Sequence, residues 1–237
     1  MSALFGEFLG TFILVLLGDG VVCGNILKDT KEEGTGWTAI VLGWGIAVTI
    51  AVYISGFFCP AHLNPAVTIA MASTGAFPWA NVPGFILAQT LGAMLGAFIL
   101  WLHYYPYWER TKDAATILGC FSTGPAIKHT WSNFLDEAIG TGVLVITIQA
   151  LGMNKLADGF GPIIVGLVVI AVGFSLGATT GYAINPARDL GPRIMHALLP
   201  IPNKGDSDWS YAWIPVFGPI VGGSIAAILY QMLISSL

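Results

Sequence analysis

The chain has 237 residues, 55% of them hydrophobic and only 9% charged, with a net charge of −4. An ordinary globular domain carries roughly 25% charged residues, so the composition points to a membrane protein. The small, scattered charge argues against nucleic acid as a partner, and Cys23, Cys59 and Cys120, mostly in or beside apolar stretches, give no disulfide framework.

A run of about twenty apolar residues suffices to cross a bilayer. Six such segments are predicted, roughly 4–27, 37–55, 82–105, 132–152, 161–178 and 212–234. The first has no Lys or Arg before it, contains Glu7 and shows no cleavage pattern, so it reads as a spanning helix and not a signal peptide. Asp19, near its end, is open between an exposed mouth residue, a packing carboxylate and a gate. After the second span comes a Gly-containing extended stretch, 56–63, and then Asn64-Pro65-Ala66. Asn serves as an N-cap and Pro fits the first helical position, where its missing N–H costs nothing. A short helix is therefore predicted from there to Ser73, ending near Gly75 and Pro78. The same order recurs after the fifth span: an extended stretch at 177–184, then Asn185-Pro186-Ala187, then a short helix to about Leu198 before Pro200. Roughly ten to twelve residues at about 1.5 Å each reach about 15–18 Å, half of the ~30 Å hydrocarbon core. These are predicted re-entrant half-helices whose N-termini meet at the bilayer midplane.

The two halves echo each other. Glu7-x-x-Gly10-Thr11 and Glu137-x-x-Gly140-Thr141 match at a shift of 130, as do 89–93 and 219–223, while the two Asn-Pro-Ala sites match at 121. With three spans per half, the second half enters the membrane inverted, and inverted repeats place their working site at the interface between interrupted helices. One domain, 1–237, is expected, with repeats at about 1–108 and 130–237 and no soluble domain on either side. Gly92/Gly96, Gly173/Gly177 and Gly218/Gly222 are read as close-packing positions between helices.

Carboxylates inside spanning helices are expensive. The matched placement of Glu7 and Glu137 assigns them to accepting hydrogen bonds from the non-helical chain around the Asn-Pro-Ala sites, in preference to a proton relay. Unwound backbone at membrane depth is tolerated only where it lines a cavity or is buried in protein. Each half-helix N-terminus brings roughly +0.5 charge to the midpoint, and the amides of Asn64 and Asn185 add donors there. Such a field opposes cations and admits small neutral polar molecules. Arg188, in the first turn of the second half-helix, reads as functional at that depth. Asp189 beside it can pair with Arg193 at i+4.

The strings 61–68, Ala-His-Leu-Asn-Pro-Ala-Val-Thr, and 181–189, Gly-Tyr-Ala-Ile-Asn-Pro-Ala-Arg-Asp, resemble the major intrinsic protein (aquaporin) family over essentially the whole chain. The resemblance implies an all-α right-handed bundle of six transmembrane helices plus two half-helices. It further implies a homotetramer with one pore per subunit, in the cell membrane, with cytoplasmic termini. It places the selectivity filter at Trp44, Gly173, Tyr182 and Arg188, the central constriction at Asn64 and Asn185, and pore carbonyls at Pro60, Ala61, His62, Gly181, Tyr182 and Ala183. Water-only members usually carry His where this chain has Gly173, so Gly is expected to leave space. Asp189, Arg193, Pro215 and Val216 also fit the glycerol-facilitator pattern. Two departures stand out. Tyr182 takes a place where glycerol facilitators often have Phe, and its hydroxyl is expected to make the wall more polar. Pro60 replaces a commoner Gly. The orientation implied by the resemblance puts Lys28, Lys31, Arg110, Lys112 and Lys128 outside, the reverse of the positive-inside bias.

The function implied is passive permeation of glycerol and other small uncharged solutes (water, dihydroxyacetone, urea) with ions and protons excluded and no cofactor or metal. Alternatives are a facilitator of undissociated lactic acid, a water-selective channel, a proton-coupled carrier using Glu7, Asp19 and Glu137, and a structural junction protein with a closed pore. Enzymatic activity has no support: His62, His103, His129 and His196 are dispersed, with His62 read as a packed loop residue near the pore and the others as surface or interface residues.

Overall fold

A computed structural model describes residues 2–236. Ten α-helices and one 3-10 turn, and no strand, occur among the described residues. Helix α1 (Ala3–Ile26) starts at Ser2, whose hydroxyl accepts from the Phe5 N–H. Helix α2 (Trp37–Ser55) follows, then the half-helix α3 (Pro65–Ser73), a 3-10 turn at Trp79–Asn81, and α4 (Val82–His103). Two short helices, α5 (Tyr105–Arg110) and α6 (Ala114–Gly119), lie in the connection between halves, where no element is predicted from sequence. The second half comprises α7 (Thr130–Met153), α8 (Gly161–Ser175), the half-helix α9 (Pro186–Leu198) and α10 (Trp213–Ile234).

Five of these helices are long and apolar enough to cross a membrane by themselves. The fifth predicted span is the exception: α8 has 15 residues and stops at Ser175, short of position 178. The cause is the turn immediately beyond it. The ring of Tyr182 occupies the space beside Gly177, and the Gly181 N–H donates to the Gly177 carbonyl at 2.9 Å, so the chain bends here toward the centre of the bundle.

Packing repeats with the sequence. Helix α1 packs on α4 and α2 as α7 packs on α10 and α8, and the two halves meet where α2 lies against α8. The half-helices cross over: α3 packs chiefly on α10 and α9 chiefly on α4. Each half therefore holds the re-entrant helix of the other. Small residues permit the approach. A Cβ on Gly92 would strike the Phe8 carbonyl and one on Gly222 would strike the Ala138 backbone, so these two contacts are backbone to backbone. At the end opposite the termini, the loops tie together through Arg110–Asp29 at 2.6 Å and Lys128–Asp208 at 2.8 Å. Lys204 Nζ caps α9 by donating to the carbonyls of His196, Ala197 and Leu199 at 2.6–2.8 Å.

Candidate functional site: a cavity between two half-helices

The residues before each half-helix have unusual backbone. Ala61 and Leu63 have φ of 53° and 52°, and Tyr182 and Ile184 have 39° and 42°. In each repeat these are the third and first residues before the Asn, none of them Gly or Asn. Left-handed backbone at such residues costs on the order of 1–3 kcal/mol each and persists only where surroundings over-determine it.

Two buried carboxylates do so. Glu7 Oε1 accepts from the His62 N–H at 2.8 Å and from Cys59 Sγ at 3.3 Å, and its Oε2 accepts from the Leu63 N–H at 2.7 Å. Glu137 Oε1 accepts from the Ala183 N–H at 3.0 Å and Thr180 Oγ1 at 2.7 Å, and its Oε2 accepts from the Ile184 N–H at 2.8 Å. With the N–H groups turned to the carboxylates, the carbonyls of Pro60, Ala61, His62, Gly181, Tyr182 and Ala183 accept no hydrogen bond among the described residues. Gln89 and Thr68 complete the first scaffold: Gln89 Nε2 donates to Glu7 Oε2 at 2.8 Å and to Thr68 Oγ1 at 2.9 Å.

The two Asn residues lock the halves together. Asn64 Oδ1 accepts from the Ala66 N–H, and Asn185 Oδ1 from the N–H groups of Ala187 and Arg188, each capping its own half-helix. Each amide then reaches across: Asn64 Nδ2 donates to the Ile184 carbonyl at 2.7 Å, and Asn185 Nδ2 to the Leu63 carbonyl at 2.8 Å. An amide nitrogen carries two N–H donors, so one from each Asn remains for whatever lies between them.

Between them is a cavity of about 150 Å³. Its apolar lining comes from Leu14, Val48, Val52, Val67, Leu144, Ile148, Val165 and Val169. Its polar lining comes from Asn64, Asn185, Arg188 and residues 60–62 and 182–183. Trp44 and Tyr182 also line it, and the Arg188 guanidinium lies 4.1 Å from the Trp44 ring centroid.

Asp189 and Arg193, both fully buried, hold this end in place without lining the cavity. Asp189 Oδ2 accepts from the N–H and hydroxyl of Thr123 at 2.8 Å, and Arg193 Nε donates to Asp189 Oδ1 at 2.8 Å. The other Arg193 donors reach the carbonyls of Thr123 and Ser207 at 2.9 and 2.7 Å. Pro215 is buried and Val216 half-buried in α10, also away from the cavity.

Several expectations need correction. Gly173 does not line the cavity: a Cβ there would meet Tyr182 Cζ and Val41 Cγ1, each at 2.9 Å, so neighbours fill the space the missing side chain leaves. Gly177 therefore seats the Tyr182 ring, and Gly173 seats both that ring and Val41 of α2. The Tyr182 hydroxyl oxygen is buried and has no hydrogen-bond partner among the described residues. Gly181 likewise lies outside the lining. Asp19 is not an exposed mouth residue, being 1% exposed. His196 is buried at 2.8 Å from Ser207 Oγ and is not a surface residue. Trp37 was not singled out from sequence, yet its indole donates to the Gly173 carbonyl at 3.1 Å and packs edge-on to Tyr182.

The model of the family described as "Major intrinsic protein" matches residues 1–230. The chain belongs to the major intrinsic protein family. It is 58% identical over 230 residues to a glycerol uptake facilitator protein 3 of Lactiplantibacillus plantarum, covering 97% of this chain and 96% of that one. It is also 58% identical over 232 residues to a glycerol uptake facilitator protein of Streptococcus pneumoniae, covering 98% and 99%. Among solved structures, the X-ray structure of the aquaglyceroporin from Plasmodium falciparum matches with a TM-score of 0.86 at 30% identity, covering 98% of this chain and 95% of that one. Membership in this family of channels and facilitators places the chain among membrane transport proteins and not among enzymes.

Proposed function

We propose that this major intrinsic protein is a passive channel for glycerol that also passes water, urea and dihydroxyacetone while excluding ions and protons. The observation that carries the reading is a cavity lined both by apolar side chains and by donors and free carbonyls. A polyol carries the same two kinds of surface. Its carbon chain fits against Leu14, Val48, Val169 and the Trp44 ring. Its hydroxyls donate to the carbonyls of residues 60–62 and 182–183 and accept from Arg188, Asn64 and Asn185. A solute that exchanges water for these partners loses little on desolvation, whereas an ion loses its hydration shell to groups too few to replace it. The two half-helix N-termini add positive potential at the crossing point, against cations in particular. Similarity to proteins named glycerol uptake facilitators supports the same solute.

In this reading Trp44, Tyr182 and Arg188 form the filter, Gly173 serves it by seating Tyr182, and Asn64 and Asn185 form the central constriction. The protein works as a homotetramer in the plasma membrane with cytoplasmic termini, one pore to each subunit.

Stopped-flow light scattering of proteoliposomes tests this, with glycerol, water, urea and lactic acid as osmolytes between pH 4 and pH 8. Glycerol flux linear in its gradient and independent of a proton gradient is the expected result. Flux that saturates with, or requires, a proton gradient would overturn the channel reading. Lactic acid flux exceeding glycerol flux at low pH would transfer the assignment to undissociated lactic acid.

A further inference from the structure

Three carboxylates are buried in the long helices: Glu7 and Glu137 hold backbone N–H groups, and Asp19 holds none. Asp19 Oδ1 lies 3.5 Å from Arg188 Nη1, and its Oδ2 has no hydrogen-bond partner among the described residues. The bond to Asp19 is the only hydrogen bond of the Arg188 side chain among the described residues, leaving Nε and Nη2 for the cavity. The preceding residue, Gly18, abuts Trp44, and a Cβ there would overlap the six-membered ring. Two adjacent residues of α1 thus back the two filter side chains, Gly18 seating Trp44 and Asp19 facing Arg188. Neither lines the cavity.

The repeat makes the pairing more specific. At the shift of 130 the counterpart of Asp19 is Gln149, and at the shift of 121 the counterpart of Arg188 is Val67. Both members of one cross-repeat pair are ionisable, and neither member of the other is. The geometry points to Asp19 as the positioning residue and counter-charge of Arg188, holding the guanidinium against Trp44 and cancelling its charge, so that the filter presents donors without concentrating anions. Two unit charges at this separation interact strongly even at an effective dielectric constant of roughly 20. Without Asp19, the guanidinium and the half-helix N-termini sum to a positive site that draws anions in.

This rests on the proposed pore, and wild-type glycerol flux keeps the two separable: its absence refutes the pore, not the counter-charge. Asp19→Asn preserves shape and removes the charge. In proteoliposomes it is expected to keep glycerol flux within about threefold of wild type while voltage-driven nitrate uptake rises about tenfold. Unchanged nitrate uptake, or glycerol, water and nitrate fluxes falling in one proportion, would overturn the assignment. The double variant Asp19→Asn/Arg188→Gln removes both charges and is expected to return nitrate uptake to the wild-type level; persistently high uptake would show that Asp19 does not act through Arg188. Assembly of the double variant where the single one fails supports the pairing in stability instead. Failure of both reduces Asp19 to packing and ends the proposal.

Discussion

Half-helices α3 and α9 share a beginning and diverge after it. Each opens Asn-Pro-Ala, each Asn caps its own helix and donates to the other half's carbonyl, and each preceding stretch carries alternate left-handed residues held by a buried Glu. From the next residues on, Val67, Thr68 and Ala72 in α3 stand where Arg188, Asp189 and Arg193 stand in α9. What the copies share builds a symmetric midpoint. What they do not share builds a charged end on one side only. The repeat shares its backbone geometry, and a handful of side chains on one copy make its two ends differ.

The largest expected effect breaks the charged end. Asp189→Ala leaves the Arg193 guanidinium buried without its carboxylate and releases Thr123, and orphaning one partner of a buried pair costs about 3–5 kcal/mol. A steep fall in the thermal unfolding midpoint in detergent is expected, with loss of glycerol flux. A midpoint equal to wild type would mean that Asp189 and Arg193 do not anchor α9. Next come the shared features. Glu7→Gln and Glu137→Gln each replace one accepting oxygen by a donor that faces a backbone N–H, at about 1–3 kcal/mol for the groups left unpaired. Because both carboxylates do the same work, the two variants should lose stability to within about 1 kcal/mol of each other. Denaturant titration checks this, and a strongly lopsided result would dissolve the symmetry on which the comparison rests.

Much of the fold was legible in residue order. Asn followed by Pro marks a helix start wherever it lies, two such starts in an apolar chain imply half-helices, and matched Glu residues in spanning helices ask for buried donors. The i+4 spacing of Asp189 and Arg193 carried their pairing. Other features left no local trace. Ala61, Leu63, Tyr182 and Ile184 have side chains that disfavour positive φ; tertiary hydrogen bonds impose it. Gly173 implied an opening, but a missing side chain is a void only if neighbours stay back, and Tyr182 and Val41 do not. Asp19 and Arg188 meet across 169 positions, beyond any spacing rule. Gln89 did carry a signal, as a polar side chain within an apolar span. Trp37 and Thr123 are ordinary residue types at their positions, and only the fold reveals their partners.

The smallest expected effect probes the uncharged counterpart of Asp189. Thr68 Oγ1 donates to the Asn64 carbonyl at 3.0 Å and accepts from Gln89 Nε2, with His62 Nδ1 at 3.2 Å. Thr68→Val keeps the branched shape inside α3 and removes these bonds. Gln89 retains its bond to Glu7, so only part of its amide is left unpaired. The loss should be about 1 kcal/mol, the net worth of a typical hydrogen bond, read as a small drop in unfolding midpoint with glycerol flux preserved. Asp189→Ala, at the matching place in α9, removes a charge as well as hydrogen bonds. If the two substitutions instead cost the same, the charge at that end would contribute nothing to holding α9, and the asymmetry between the half-helices would be confined to the filter itself.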